Sequence, residues 1–267
     1  MKKIKFKSLS SGSCGNCYFL GSEDEDGQKC GVLIDIGVSP RRLIKELRAD
    51  SLGTEDFDCL LVTHDHLDHI RSLGSFCKHI SKPIWSTPRL ISTLSRRTIS
   101  GEGLAGLQHS LSASWNEIVP GRILARYFEV PHDAAQTVGY AIMIDGYKFV
   151  IMTDLGRMTK EAADLASQAG TVVIESNYDP DMLRNGPYPK DLQDRIRDGH
   201  GHLSNQECAA AVKGFAHEGL RQVFLCHLSE HNNTPQLAFD CTRAVLDSSV
   251  RVVALPRMTA SPLFLLR

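Results

Sequence analysis

The sequence predicts an α/β fold in which sheets are flanked by helices, and three observations carry that reading. Short β-prone apolar runs recur along the chain, segments with a helical stripe of apolar residues lie between them, and several runs end directly in His or Asp. The 267 residues are 42% hydrophobic and 23% charged, enough to bury one large core or two modest ones. There is no repeat of fixed period, no low-complexity tract and no clear linker, so residues 1–267 are expected to form a single domain.

The elements follow in order. Lys2-Lys3-Ile4-Lys5-Phe6-Lys7 alternates charge with apolar side chains, which predicts an edge strand over 3–9 and offers no signal-peptide core. The next stretch, "LSSGSCGNC", holds a C-x-x-C pair, Cys14 and Cys17. Tyr18-Phe19-Leu20 after it is β-prone, whereas a redox dithiol opens a helix. No second C-x-x-C completes a four-thiolate site, so a tight turn between strands is the expectation. Strands are predicted over 18–20 and 31–36, separated by the acidic turn 22–27. Ser39 and Pro40 open a helix whose inner stripe is Leu43, Ile44 and Leu47. A fully apolar strand, 58–62, then runs into a histidine cluster. Further strands fit 123–130, 138–144, 147–153, 171–175, 222–226 and 250–254, and helices fit 70–80, 159–169, 192–197, 204–217 and 235–246.

Charge narrows the function classes. Thirty basic and 31 acidic residues give a net charge of −1, so no global positive field draws the chain to nucleic acid or to an anionic membrane. No run of about eighteen apolar residues occurs, and a cytoplasmic protein without membrane contact is expected. The eight cysteines are scattered, several in apolar runs such as Val223-Phe224-Leu225-Cys226, and read as reduced thiols.

The chemistry is concentrated in Thr63-His64-Asp65-His66-Leu67-Asp68-His69. In an extended loop, residues two apart face the same way, so His64 and His66 can hold one metal together. Asp68 and His69 point elsewhere once the chain turns into a helix near Ile70, and suit a second metal. Asp65 then faces away and is no ligand. Closing two sites requires more ligands at other strand ends. His132 after 127–131, Asp154 after 149–153 and His227 after 223–226 stand where they are needed.

These motifs, H-x-H-x-D-H followed by His, Asp and His in that order, resemble the metallo-β-lactamase fold superfamily. The resemblance covers most of the chain and implies an αββα sandwich with two divalent metal ions at the edge of its sheets. Carried over, His64, His66 and His132 would hold one metal, Asp68, His69 and His227 the other, and Asp154 would bridge them. Asp35, in "LIDIG", matches the family's early Asp, a supporting residue, though a strand-end Asp opening a turn reads equally well. Two cations roughly 3.5–4 Å apart activate a water for hydrolysis by metal-bound hydroxide. Nitrogen and carboxylate donors without thiolate suit Zn, Mn or Fe alike. Strand alternation points Cys226 away from its neighbour His227.

The substrate must be read outside this ligand set. Ser204 and Glu207 form an S-x-x-E capping box, so His202 sits two residues before a helix N-cap, where free N–H groups and a histidine can grip a phosphate. Spacing alone leaves open that His200 and His202 are polar loop residues. Taken in order, "SGSxGN", "THxHxDH", "HDA", "TDLG", "ESN", "GHLSN" and "HLSxxNN" resemble the YycJ (WalJ) branch of the superfamily, metal-dependent 5′-to-3′ DNA exonucleases connected with mismatch repair. The resemblance implies Asp68 and His202 as catalytic residues, with His202 on the phosphate or leaving-group side. Ser204, Asn177, Ser229 and Asn232 are candidate substrate contacts, although turn and capping roles explain them as well. Arg184, Lys190, Arg195 and Arg197 interleave with Asp181, Asp191, Asp194 and Asp198 and read as a solvated mixed-charge face. Without a long β-CASP-type insertion or a basic stripe, DNA binding is expected to be weak, to favour ends, or to need a repair-protein partner. The sequence sets no oligomeric state. The competing readings are a small-molecule hydrolase of the same fold, such as a cyclic phosphodiesterase or lactonase, and a non-catalytic metal-binding regulator.

Overall fold

The computed structural model describes residues 2–97 and 102–267. Its strands are β1 (Lys3–Gly12), β2 (Gly15–Glu23), β3 (Lys29–Ile34), β4 (Cys59–Leu61), β5 (Ile84–Ser86), β6 (Gln108–Ser110), β7 (Asn116–Val119), β8 (Ile123–Glu129), β9 (Val138–Ile144), β10 (Tyr147–Met152), β11 (Thr171–Glu175), β12 (Gln222–Cys226), β13 (Arg251–Ala254) and β14 (Phe264–Leu265). The α-helices are α1 (Pro40–Arg48), α2 (Leu67–Ile70), α3 (Leu73–His79), α4 (Pro88–Ser95), α5 (Lys160–Ala166), α6 (Pro180–Asn185), α7 (Lys190–Arg197), α8 (Asn205–Phe215) and α9 (Pro235–Arg243).

The strands form two seven-stranded sheets, in the orders β14-β1-β2-β3-β4-β5-β6 and β13-β12-β11-β10-β9-β8-β7. Strand alternation divides the apolar side chains into three layers. Val32, Ile34, Cys59, Leu61, Phe149, Ile151, Val173, Phe224 and Cys226 meet between the sheets. Leu33, Leu60 and Val62 face the other way, onto Leu43 and Leu47 of α1 and Phe76 of α3. Val150, Met152, Val172, Ile174, Val223 and Leu225 face Ala162 of α5, Val212 and Phe215 of α8, and Ala238 of α9. Central strands buried on both faces read as continuous apolar runs, which is why they stood out in the sequence. The layering is αββα, the fold class expected.

Several sequence expectations need correction. β1 is not an edge strand: it pairs with β2 on one side and with β14 on the other, where Lys5 faces Leu265 and Phe6 faces Phe264. The helix expected over 70–80 begins earlier and is broken, so Asp68 and His69 already lie within α2. Unread in the sequence were β5, β6, β7, β14, α4 and α6. The four strands have two to four residues, too few for a period to show. Yet α4 carries the same start signal as α1: Thr87 accepts from Leu90 N–H and Pro88 follows it.

The connection at 13–14 is a two-residue hairpin between β1 and β2, with Gly12 opposite Gly15. Gly15 has φ of 149°, a conformation that L side chains rarely adopt. Gly37 permits a close crossing, since a Cβ there would stand 1.7 Å from the carbonyl oxygen of Asp68 and 2.5 Å from the amide of Asn16. That crossing brings the hairpin against α2.

Candidate metal centre

The strand ends of both sheets converge on one cleft. From the first sheet come Asp35 after β3 and His64, His66, Asp68 and His69 after β4; from the second come His132 after β8, Asp154 after β10, Glu175 at the end of β11 and His227 after β12. The cleft, about 230 Å3, is lined by His66, Asp68, His132, Asp154, His202 and His227, with Ser13 of the hairpin and Leu192, Arg195 and Ile196 of α7 as walls.

Donor atoms of His64, His66 and His132 lie within 4.8 Å of one another, as do those of Asp68, His69 and His227. Asp154 stands between the two groups: Oδ2 is 3.1 Å from His69 Nε2, and Oδ1 is 3.5 Å from both His132 Nε2 and His227 Nδ1. Asp65 turns away, as its alternation requires, and pairs with Arg97.

Each of the five histidines has one ring nitrogen held by the protein and the other turned inward. His66 Nε2–H donates to the Asp133 carbonyl at 2.8 Å, and His132 Nδ1–H to the Gly201 carbonyl at 2.7 Å. His69 Nδ1–H donates to Asp35 Oδ2 at 2.7 Å, and His227 Nδ1–H to Glu175 Oε1 at 2.9 Å. His64 Nδ1 lies 3.0 Å from the Thr63 hydroxyl, which itself donates to Asp35 Oδ2 at 2.7 Å. Such partners fix the tautomer and leave the opposite nitrogen as a lone pair. Buried His64 Nε2 and His227 Nε2 have no hydrogen-bond partner among the described residues. Orphaned buried nitrogens facing carboxylates fit a divalent cation, which would satisfy them.

Electrostatics agree with that fit. Burial holds His64 well below the usual histidine range, and the neighbouring His69 adds to the effect, so this ring is a neutral donor. At His69 burial acts the same way, but Asp154, Asp35 and Asp68 overcome it and raise the pKa to about 10. The carboxylate field therefore favours positive charge at the centre of the cleft. Asp35 and His227 have φ of 60° and 54°, left-handed values uncommon outside glycine. Asp35, left open between two readings by the sequence, is settled by this geometry as the residue that orients His69 directly and His64 through Thr63.

Two contributors stand in the motifs "ESN" and "SGSxGN" but were not among the site residues expected from the sequence. Glu175 is fully buried; its Oε1 receives His202 Nδ1 at 2.7 Å as well as His227, and its Oε2 accepts the amides of Leu155 and Leu203. Its signal was its position, the final residue of an apolar strand beside the other strand-end ligands. Asn16 Nδ2 lies 2.8 Å from His69 Nε2 and 3.1 Å from Asp68 Oδ2. The hairpin thus reaches the centre through Asn16. Cys14 is exposed, and Cys17 is buried in the outer layer of the first sheet.

Of the substrate residues expected, His202 lines the cleft, and the other four do not. Ser204 caps α8, its hydroxyl engaged with Glu207 at 2.6 Å. The helix N-terminus is no phosphate cradle either: Ser204 N–H donates to Glu207, Asn205 N–H to the Tyr178 carbonyl and Glu207 N–H to Ser204 Oγ. Asn177 Nδ2 donates to the His227 carbonyl at 2.7 Å, and Ser229 Oγ accepts from Asn232 N–H at 3.2 Å. These residues shape the loop that carries His227. The mixed-charge segment pairs internally, through Arg184–Asp181, Lys190–Asp194 and Arg197–Asp194, and outward through Arg195–Asp133.

Fold and site together define a member of a known class: the chain belongs to the family described as the beta-lactamase superfamily domain, which it matches over residues 31–228. Among individual proteins it is 30% identical over 235 residues to Exodeoxyribonuclease WalJ of Streptococcus pneumoniae, covering 88% of this chain and 85% of that one. It is 29% identical over 245 residues to Exodeoxyribonuclease YycJ of Bacillus anthracis, covering 91% and 89%. The solved metallo-beta-lactamase fold protein YhfI of Bacillus subtilis shares the fold at a TM-score of 0.70 and 15% identity, over 98% of this chain and 99% of that one. The enzyme class expected, a metal-dependent hydrolase, stands with the family. Among the described residues no helix is long and apolar enough to cross a membrane.

Proposed function

We propose that this chain, acting as one domain, is a dinuclear metal-dependent phosphodiester hydrolase and a 5′-to-3′ DNA exonuclease. The observation that carries the metal reading is the uniform orientation of the five histidines, each tied through one nitrogen and inward through the other. His64, His66 and His132 would hold one cation, Asp68, His69 and His227 the second, and Asp154 would lie between them, with Zn, Mn and Fe all suited to these donors. When bound, the pair would lower the pKa of a water and neutralise charge developing on the attacked phosphate.

The remaining work falls to the chain itself. Asp68, on the cleft wall within reach of His227, holds its side of the centre and completes the catalytic pair with His202. His202 presents its Nε2 edge to the cleft while Glu175 grips Nδ1. Burial alone would pull its pKa down, but the Glu175 carboxylate outweighs it and raises it from the ordinary histidine value. A histidine whose protonated form is favoured in this way can donate a proton to a leaving 3′-oxygen or bind the phosphate. Support for DNA as substrate comes from the relatives named as exodeoxyribonucleases.

Metal analysis joined to digestion of 5′- and 3′-labelled single- and double-stranded oligonucleotides tests the reading. Two equivalents of metal and stepwise release from the 5′ end are expected. Metal without cleavage of any nucleic acid would leave the fold and remove the function.

A further inference from the structure

We propose that the β1–β2 hairpin, with Arg71 and Arg257 beside it, is a binding track for the phosphate backbone of the polynucleotide beyond the scissile phosphate. The inference deepens the nuclease reading and rests on it.

The cleft has two walls of different character. On the α7 wall every cation of the mixed-charge segment is paired with a carboxylate, so it offers little net positive charge. Beside the hairpin wall, which Ser13 forms, the arginines have no such partner. Arg71 Nη1 donates to the Cys14 carbonyl at 3.3 Å, and Arg257 Nη1 to the Ser229 carbonyl at 2.6 Å. Arg42, behind them, donates to the carbonyls of Leu9 at 2.8 Å and Met258 at 2.5 Å. Among the described residues none of the three makes an ion pair.

A guanidinium with one N–H on a backbone carbonyl keeps its full charge and further donors for an anion. Placement does the rest. Arg257 lines a recess with Gly12, Ser13, Cys14 and Met258, and Ser13 also lines the metal cleft, so the two openings adjoin. Glu230 shares the recess and is not within ion-pair distance of Arg257. A strand with its scissile phosphate in the cleft would therefore lay its next phosphates over Ser13 and Cys14, toward Arg71 and Arg257. Net charge of −1 conceals this local asymmetry.

The test is the salt dependence of single-stranded oligonucleotide hydrolysis in wild type, Arg71→Ala, Arg257→Gln, Arg257→Lys and Lys160→Ala, with bis(p-nitrophenyl) phosphate as a substrate lacking a backbone. Each arginine lost should flatten the log–log salt slope by about 0.7. The ratio of kcat/KM on oligonucleotide to that on the small ester should fall up to about fivefold per arginine. Arg257→Lys should restore much of the slope, and Lys160→Ala, which removes an exposed charge of α5, should leave it at the wild-type value. Unchanged slopes and ratios in both arginine variants, with wild type cutting DNA, would overturn the track and leave the nuclease reading intact. Wild type that cuts only the small ester would overturn both. Metal analysis of each variant separates a loss of backbone contact from damage to the His227 loop.

Discussion

His202 Nδ1 stands 2.7 Å from Glu175 Oε1, an oxygen that His227 Nδ1 also reaches at 2.9 Å. One buried carboxylate therefore aligns His202, proposed to act on the phosphate side, and a proposed metal ligand together. Removing it should affect chemistry and metal in one step. His202→Ala is expected to keep both metals and lower phosphodiesterase turnover by about 10²–10⁴. Glu175→Gln should lose comparable turnover and also bind metal more weakly. Because the residues act as a unit, the double variant should be little worse than the poorer single one. Steady-state kinetics with metal titration decide this, and unchanged turnover in His202→Ala would remove its role.

Asp35 makes a second case. Its contacts to His69 and, through Thr63, to His64 imply that Asp35→Asn loosens two proposed ligands without deleting either. Metal affinity should fall about 10–100-fold with the fold retained. Circular dichroism beside a chelator competition measures both.

Gly37→Ala tests the close crossing of hairpin and α2. The added methyl has no room beside the Asp68 carbonyl and the Asn16 amide. It should displace Asp68 and His69 together, reducing metal content more than a comparable substitution at Gly214 of α8, which meets nothing within 4 Å.

Far from the centre, Asp145 accepts from Lys2 at 2.7 Å, Ser22 at 2.6 Å and Arg122 at 2.6 Å. Burial would raise its pKa, but these partners, Arg122 first, hold it well below the usual carboxylate range. A depressed folded-state pKa stabilises above the unfolded value and ceases to do so as pH falls toward the folded one. Asp145→Asn should therefore cost about 2 kcal/mol at neutral pH, with the gap to wild type narrowing below about pH 4. Denaturant melts across pH 2–7 would show the convergence; a constant gap would contradict it.

The cysteines that attract the eye should prove silent in catalysis. Cys14→Ser is expected to keep metal and activity, while Cys17→Ser puts a hydroxyl into an apolar layer and costs about 1–3 kcal/mol of stability. Loss of activity in Cys14→Ser would contradict this.

What the sequence disclosed follows from burial. Strands such as β10, β11 and β12 are apolar on both faces and end in Asp154, Glu175 and His227, so element and site residue were visible together. β14 escaped notice because two residues have no period, and with it went the covered flank of β1. Contacts between loops were the harder part. Ser204, Asn177, Ser229 and Asn232 are polar residues in the right segments, but only coordinates show that the side chains of the first three are already engaged and that Asn232 lies buried outside the cleft lining. The partners of Glu175 lie 27 and 52 positions away, beyond the reach of any spacing argument.

The centre draws its groups from both leaves of the sandwich, with Asp35 to His69 on one and His132 to His227 on the other. Metal affinity is then a gauge of how the leaves sit against each other. Phe6, packed between them with ring centroids 5.4 Å from Phe149 and 4.8 Å from Phe224, contacts none of the proposed ligands among these ring pairs. A smaller side chain there would let the leaves settle closer or askew, and the enzyme would register a packing fault in its core as a change in its appetite for metal.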